Sequence, residues 1–282
     1  MTAEDEKLVN ILRTSLQEDI GDGDITTNWT VDANISLTGR FVCKEPGIVA
    51  GLDIARQIYL LLDERTLLTP LIPDGARVDG GTCIARVRGS GRILLSAERV
   101  VLNFLQRMSG IATLTRAYVD EVRGTNASIL DTRKTVPGLR IVDKLAVVIG
   151  GGRNHRFGLY DAVLIKENHI AAAGGLEKAI ERVRQCDEKN RPICVEAKNL
   201  DEVRRALTAG AGYILLDNMT VSEIRSAVEL VGGRVPLEAS GSISLANVRT
   251  VAETGVDYIS VGALTHSPKA LDISFLIESS NG

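Results

Sequence analysis

Ile193-Cys-Val-Glu196 and Tyr213-Ile-Leu-Leu-Asp217 are short apolar runs that each end on a carboxylate, with a helical segment between them. A strand in a parallel sheet is covered on both faces, so it reads as a continuous apolar run and not as alternation. The same texture recurs on either side, at Ser128-Ile-Leu-Asp131, Ala162-Val-Leu-Ile-Lys166, Pro236-Leu-Glu-Ala-Ser240 and Tyr258-Ile-Ser-Val-Gly262. Successive run ends stand about 20 to 35 residues apart, as expected of repeated βα units. The expected fold of this half is an α/β barrel. An open doubly wound sheet is the structural alternative, because periodicity alone does not prove closure.

Upstream the pattern differs. Leu8, Ile11, Leu12, Leu16 and Ile20 fall at helical spacing, and Gly21-Asp-Gly23 stops that helix. From about residue 35 to 95, short alternating runs such as Leu37-Thr-Gly-Arg-Phe-Val42 and Ile84-Ala-Arg-Val87 lie between Gly, Pro and Asp turns, around a helical stretch near 51–63. This predicts a small α+β domain, followed by a long helix over Ser96 to Thr115. A chain of 282 residues exceeds the length at which single cores usually stop growing, which suits one large and one smaller domain.

The composition, 44% hydrophobic and 24% charged, is that of an ordinary globular protein. A formal net charge of -3 argues against nucleic acid as a partner, so any anion site must be local. No stretch approaches the roughly 20 apolar residues of a membrane span, and Met1 to Lys7 is acidic and not signal-like, so no membrane partner is expected and the expected location is the cytoplasm. The cysteines Cys43, Cys83, Cys186 and Cys194 form no CxxC pair, and the three histidines offer no zinc spacing. All four cysteines are expected to be reduced packing residues.

The C-terminal ends of barrel strands form the active-site face, so Asp131, Lys166, Glu196, Asp217 and the Glu238–Ser240 segment should converge on one mouth. The blander reading is that these residues cap strands and pair with each other. The loops around that mouth are basic: Arg133 and Lys134 follow the first run, His155 and Arg156 end Gly150-Gly-Gly-Arg-Asn-His-Arg156, and Lys166 and His169 complete the set. Several guanidinium groups in one pocket suit a ligand with two or more anionic groups. Arg153 and Lys144 are each expected to be solvated surface charges. Glu196 and Asp217, one βα unit apart, could hold a magnesium-pyrophosphate group or stabilise an oxocarbenium-like sugar. Ser240-Gly241-Ser242 and Val261-Gly262-Ala263 follow the last strands as small-residue turns, a recognised phosphate cradle.

Longer motifs run through the chain. They are Glu18-Asp-Ile-Gly-Asp-Gly-Asp-Ile-Thr-Thr27, Ala97-Glu-Arg-Val-Val-Leu-Asn103 with Leu105-Gln-Arg-Met-Ser-Gly-Ile-Ala-Thr113, and Asp131-Thr-Arg-Lys-Thr-Val-Pro-Gly-Leu-Arg140. Asn154-His-Arg156, Leu164-Ile-Lys-Glu-Asn-His169, Leu216-Asp-Asn218, Leu237-Glu-Ala-Ser-Gly241 and Ser260-Val-Gly-Ala-Leu-Thr-His266 follow. In this order they resemble the quinolinate phosphoribosyltransferases over nearly the whole chain. The resemblance implies an incomplete TIM-like α/β barrel over residues 113–267 and a smaller N-terminal α+β open-sandwich domain over 1–112, on which the tail 268–282 packs back.

It further implies transfer from 5-phosphoribosyl 1-pyrophosphate to quinolinate with decarboxylation, giving nicotinate mononucleotide, pyrophosphate and carbon dioxide in NAD biosynthesis, with Mg2+ as cofactor. On that resemblance Arg133, His155 and Arg156 bind the quinolinate carboxylates. Lys134 and Lys166 contact donor and acceptor, and Glu196 and Asp217 attend the ribose and the magnesium; these four are the expected catalytic residues. Thr132 and His169 count with the substrate-binding set, and Ser240, Gly241, Ser242, Val261, Gly262 and Ala263 hold the 5-phosphate. Family enzymes are dimers or larger, which implies that Arg99 acts in trans on a second subunit. One position departs from the pattern: Ser242 stands where the family usually has a second glycine; a positive φ there would cost serine about 1 kcal/mol and shift the phosphate cradle, whereas otherwise its hydroxyl adds a donor, which is the expected case. The competing readings are a phosphoribosyltransferase with another anionic acceptor, a Lys166 Schiff-base aldolase, and a non-catalytic binding protein on the same fold.

Overall fold

The computed structural model describes residues 3–278; Met1, Thr2 and the tail residues 279–282 lie outside them. The contact pattern divides the chain into two units. One gathers the residues through Arg116, Thr135–Gly151 and those from Ser267 on; the other comprises Ala117–Lys134 and Gly152–His266.

The first unit opens with helix α1 (Ala3–Ile20), which ends as Gly21 takes a positive φ, and continues through α2 (Ile25–Thr30), whose N-cap Asp24 accepts from Thr27 N–H. Strands β1 (Ser36–Cys43) and β2 (Gly47–Ile48), helix α3 (Leu52–Leu62), and strands β3 (Leu67–Pro70), β4 (Arg77–Val78) and β5 (Cys83–Ser90) follow. Antiparallel pairing of β1 with β5 and of β5 with β3 makes a sheet whose alternation buries Phe41 and Cys43 while Arg40 faces out. The long helix α4 (Gly91–Glu121) then starts in this unit, longer at both ends than the predicted helix. On it, Arg107 grips the fully buried Asp143 carboxylate through Nε and Nη2, both at 2.7 Å. Such a fork-to-carboxylate pair satisfies a charge that would otherwise be costly to bury.

The second unit holds the apolar runs. In chain order come β6 (Ser128–Leu130), then α5 (Arg140–Ile149), which belongs to the first unit, then β7 (Val163–Ile165), α6 (Glu167–Ala173), α7 (Leu176–Cys186), β8 (Ile193–Ala197) and α8 (Leu200–Thr208). After these come β9 (Tyr213–Asp217), α9 (Val221–Val231), β10 (Leu237–Ser240), α10 (Val248–Ala252), β11 (Tyr258–Ser260) and α11 (Ala263–His266). The caps are of the expected kind: Asn199 accepts from Glu202 N–H at 2.9 Å, and Thr220 forms a reciprocal box with Glu223.

All six strands are parallel, in the order β6-β11-β10-β9-β8-β7. Each strand from β8 to β11 lies beside its predecessor, and β11 returns to pair with β6. A doubly wound sheet reverses direction at a switch point, and this one does not, so that alternative falls. The two edges are β6 and β7, which leaves the ring of strands incomplete. Arg153 covers the free edge of β6, donating to Ile129 O at 2.9 Å and accepting from Asp131 N–H at 3.1 Å. The chain finally re-enters the first unit as β12 (Ile273–Ile277), which pairs antiparallel with β1.

Two surface and packing expectations are corrected here. Lys144 is only 1% exposed, inside α5 next to the buried Asp143, although Arg153 is exposed as expected. Cys186 is exposed at the end of α7 and packs nothing, whereas Cys43 and Cys194 are buried and Cys83 is intermediate. Burial pushes the Cys43 thiol up to about 11. All four thiols are free. Among the described residues no helix is long and apolar enough to cross a membrane.

Candidate active site

Side chains of a strand alternate, so every second residue of a parallel ring faces inward. Leu164 and Lys166, Glu196, Leu215 and Asp217, Glu238 and Ser240, and Ser260 and Gly262 obey this rule at the ends of β7 to β11, and all line one cavity of about 460 Å³. Thr132, Arg133 and Lys134 after β6, and His155 and Arg156 from the loop laid on the β6 edge, complete its rim with Gly241, Ser242, Ile243, Ala263 and His266. A larger cleft of about 620 Å³ lies wholly within the first unit, between α1, α4 and the Val136–Leu139 turn; it gathers none of the expected site residues.

The electrostatics divide the cavity. Arg156 is half-buried, and that burial first, with the like charge of Arg133 second, lowers its pKa. Two guanidinium groups held this way are discharged most favourably by an anion with two acceptor groups. On the opposite sign, Glu196 is tied to the ammonium of Lys166, while among the described residues no hydrogen bond or ion pair engages the Asp217 carboxylate. Deeper in the ring Glu238 is completely buried and accepts from the Tyr213 hydroxyl and the Ser260 hydroxyl, with His155 Nε2 at 3.4 Å.

Several expected residues stand elsewhere. Asp131 is fully buried and does not line the cavity; its carboxylate accepts the His155 N–H at 2.8 Å and so anchors the loop instead of facing a ligand. His169 is exposed outside the lining, its Nδ1 accepting Lys166 N–H at 3.0 Å as part of the α6 cap. Val261 is 1% exposed, and its N–H donates to Leu130 O at 2.9 Å, so strand pairing uses the amide expected to hold phosphate. Arg99 is exposed on α4 in the first unit. Conversely, Glu238, Ser260 and His266 line the cavity without having been singled out individually. The first two lie two residues before Ser240 and Gly262, so the period of two could have found them.

The serine in the cradle is not harmless. Ser242 has φ 54°, next to Gly241 at φ 96°, and Asn218 opposite has φ 55°. Asn218 fills the place a Cβ on Gly241 would need, so that position demands glycine. An L residue in the left-handed region is strained by ~1–2 kcal/mol, against the smaller unfolded-state entropy that a non-glycine residue gives up. Ser242→Gly is therefore expected to stabilise the protein by roughly 0.5–1 kcal/mol, or a rise of ~1–4 °C in thermal midpoint. The hydrogen bond from the Asn247 side-chain Nδ2 to the backbone O of residue 242, 3.0 Å, survives the change. A thermal melt showing no gain would mean that the hydroxyl contributes as much as the strain costs.

Residues 24–109 match the N-terminal domain of quinolinate phosphoribosyl transferase, and residues 111–276 match its C-terminal domain. The chain belongs to the quinolinate phosphoribosyltransferase family. It is 47% identical to the nicotinate-nucleotide pyrophosphorylase [carboxylating] of Mycobacterium leprae, over 93% of this chain and 94% of that protein. It is 46% identical to quinolinate phosphoribosyltransferase [decarboxylating] 1b of Nicotiana tabacum, over 96% of this chain and 82% of the relative. Among solved structures, the nicotinate-nucleotide pyrophosphorylase of Francisella tularensis superposes with a TM-score of 0.93 at 41% identity, covering 99% of this chain and 98% of that one. The fold described above is thus shared with that structure.

Proposed function

We propose that the protein transfers the phosphoribosyl group of 5-phosphoribosyl 1-pyrophosphate to the ring nitrogen of quinolinate, with loss of carbon dioxide, giving nicotinate mononucleotide and pyrophosphate on the route to NAD. The observation that carries this reading is that Arg133 and Arg156, close enough for their charges to act on each other, line one cavity with Glu196 and Asp217. A dicarboxylate acid answers the first pair, and a sugar that becomes cationic answers the second. The relatives that span this chain carry names for the same reaction.

In this scheme the guanidinium groups of Arg133 and Arg156 hold the acid so that its nitrogen faces the anomeric carbon, which removes most of the entropy of bringing the two together. Lys134 and Lys166 border both substrates. Glu196 and Asp217 stand beside the sugar as its bond to pyrophosphate lengthens and positive charge grows on the ring. Ser240, Gly241, Ser242, Gly262 and Ala263 approach the 5-phosphate closely because they are small. Once the nitrogen is glycosylated it is positive and stabilises the electron pair that stays on the adjacent ring carbon when its carboxylate leaves as carbon dioxide; a proton from water then takes that position, so transfer precedes decarboxylation.

Magnesium suits this site. Its hard oxygen donors are Glu196 and Asp217, and among the described residues no group of three or more His, Cys, Asp or Glu could hold an ion alone. That fits an ion carried by substrate phosphates and met by one or two carboxylates, which supplies charge neutralisation for the departing pyrophosphate. We further propose a homodimer in which Arg99, exposed on α4, completes the site of a second subunit, and a cytoplasmic location, which the free thiols suit. Nothing favours the aldolase reading: Lys166 is engaged by Glu196, and that chemistry gives the arginines no role.

The test is pyrophosphate release with magnesium and phosphoribosyl pyrophosphate, with quinolinate, with nicotinate, and with no acceptor. Release is expected with quinolinate alone. Release with nicotinate and not quinolinate would overturn the substrate assignment.

A further inference from the structure

The turn after β10 is held in a shape that its own residues do not favour. Gly241 and Ser242 are consecutive left-handed residues, φ 96° and 54°, and only the first is a glycine. Both line the cavity with Ile243, and among the described residues the backbone N–H groups of Gly241, Ser242 and Ile243 make no hydrogen bond. Unpaired backbone N–H groups are uncommon, and a run of them suits an anion. Were residue 242 to relax to negative φ, the peptide groups around it would turn and these donors would scatter, so groups outside the turn must hold it.

Two asparagines do so, and neither lines the cavity. Asn247 spans the turn: its Oδ1 accepts the Ser244 N–H at 2.8 Å and its Nδ2 donates to Ser242 O at 3.0 Å. Its own N–H donates to Ser244 O at 3.2 Å, and the next residue, Val248, is completely buried, so the clamp is fastened to the core. Asn218 approaches from the end of β9. It takes φ 55°, which asparagine tolerates better than most residues, and its N–H donates to Ser240 O at 2.8 Å. Its side chain occupies the place a Cβ on Gly241 would need.

We propose that Asn247, assisted by Asn218, is a positioning residue for the 5-phosphate of the donor: it holds residue 242 in the left-handed region, so that the N–H groups of residues 241–243 stay together and free for the anion. The clamp matters more here than it would beside a glycine, because a released serine leaves that region whereas glycine populates it freely. That the anion is the 5-phosphate rests on the function proposed above; that the clamp holds residue 242 does not.

Two measurements on the full-length protein read the effect: steady-state kinetics with each substrate varied in turn, and calorimetric titration with ribose 5-phosphate, at a temperature where every variant is folded. Asn247→Ala, which removes both side-chain bonds, is expected to raise the donor KM and to weaken ribose 5-phosphate binding about tenfold, while kcat and quinolinate KM stay within about twofold. Adding Ser242→Gly to that variant is expected to recover about threefold of the loss, because glycine needs no clamp to stay left-handed. A donor KM that rises no more than the quinolinate KM, or a double variant no better than Asn247→Ala, would overturn the proposal. Should Asn247→Ala fail to fold, Asn218→Gly, which permits the left-handed backbone and removes the side chain packed on Gly241, is expected to raise the donor KM about threefold, and no rise counts against the proposal. Unmodified protein that binds ribose 5-phosphate yet turns over no quinolinate, with that binding lost in Asn247→Ala, would refute the function and bear out the clamp. Quinolinate turnover with an unchanged donor KM in Asn247→Ala would do the reverse.

Discussion

Arg156→Ala is expected to lower kcat/KM for quinolinate by roughly 10³-fold, the effect of removing one partner of a desolvated charge pair and leaving the other unmatched, about 2–5 kcal/mol. The residue is suited to so large a role. Burial and the neighbouring charge of Arg133 both work against its cationic form, so a dianionic ligand relieves two penalties at once. Its guanidinium is steadied by Nη1 donating to Ala162 O at 3.4 Å, and its backbone by His155. Arg156→Lys is expected to recover little, because an ammonium cannot present the parallel pair of N–H donors that a carboxylate accepts. Steady-state kinetics with varied quinolinate at saturating donor decide the matter. A loss confined to donor KM would place Arg156 on the wrong substrate.

Asp217→Asn acts on a different quantity. The carboxylate lies at the end of β9 with no protein partner among the described residues, so its charge is available to the sugar, whereas that of Glu196 is shared with Lys166. The amide keeps the shape and removes the charge. Because that charge matters most when the anomeric carbon is cationic, kcat is expected to fall by about 10²–10³ with quinolinate KM little changed, the magnitude found when one preorganised electrostatic group is deleted. Pre-steady-state product formation separates this from slow product release. An unchanged kcat with a weakened magnesium requirement would confine Asp217 to holding the ion.

Much of this was legible in the sequence because parallel strands announce themselves. The runs ending at Glu196 and Asp217 mark both the strand and the inward-facing position at its end, and the spacing of two carries that assignment one step deeper to Glu238 and Ser260. What was not legible depended on where backbone hydrogen bonds go. Asp131 looks like an active-site carboxylate by position, yet it faces the N–H of His155; Val261 looks like a phosphate ligand, yet its amide closes the sheet onto β6. His169 reads as part of the basic pocket by sequence, yet its Nδ1 accepts the Lys166 N–H at a helix end. The left-handed backbone at Ser242 is not legible in the serine itself; its one signal is the glycine that the family usually has there. Lys144 reads as a surface charge because nothing local reveals that α5 is buried beside the pair from Arg107 to Asp143. The two-residue strands β2 and β4 escape detection for a related reason, as they exist only through each other.

The return of β12 to β1 has a consequence for how the molecule is made. Cys43 pairs with Ile273, so the strand that finishes the first sheet is synthesised after every strand of the second. During translation β1 is a bare edge, with Phe41 lacking the ring of Phe275 that packs against it at 5.0 Å. A nascent chain that ends before residue 273 therefore carries a first-made sheet that still lacks its last strand.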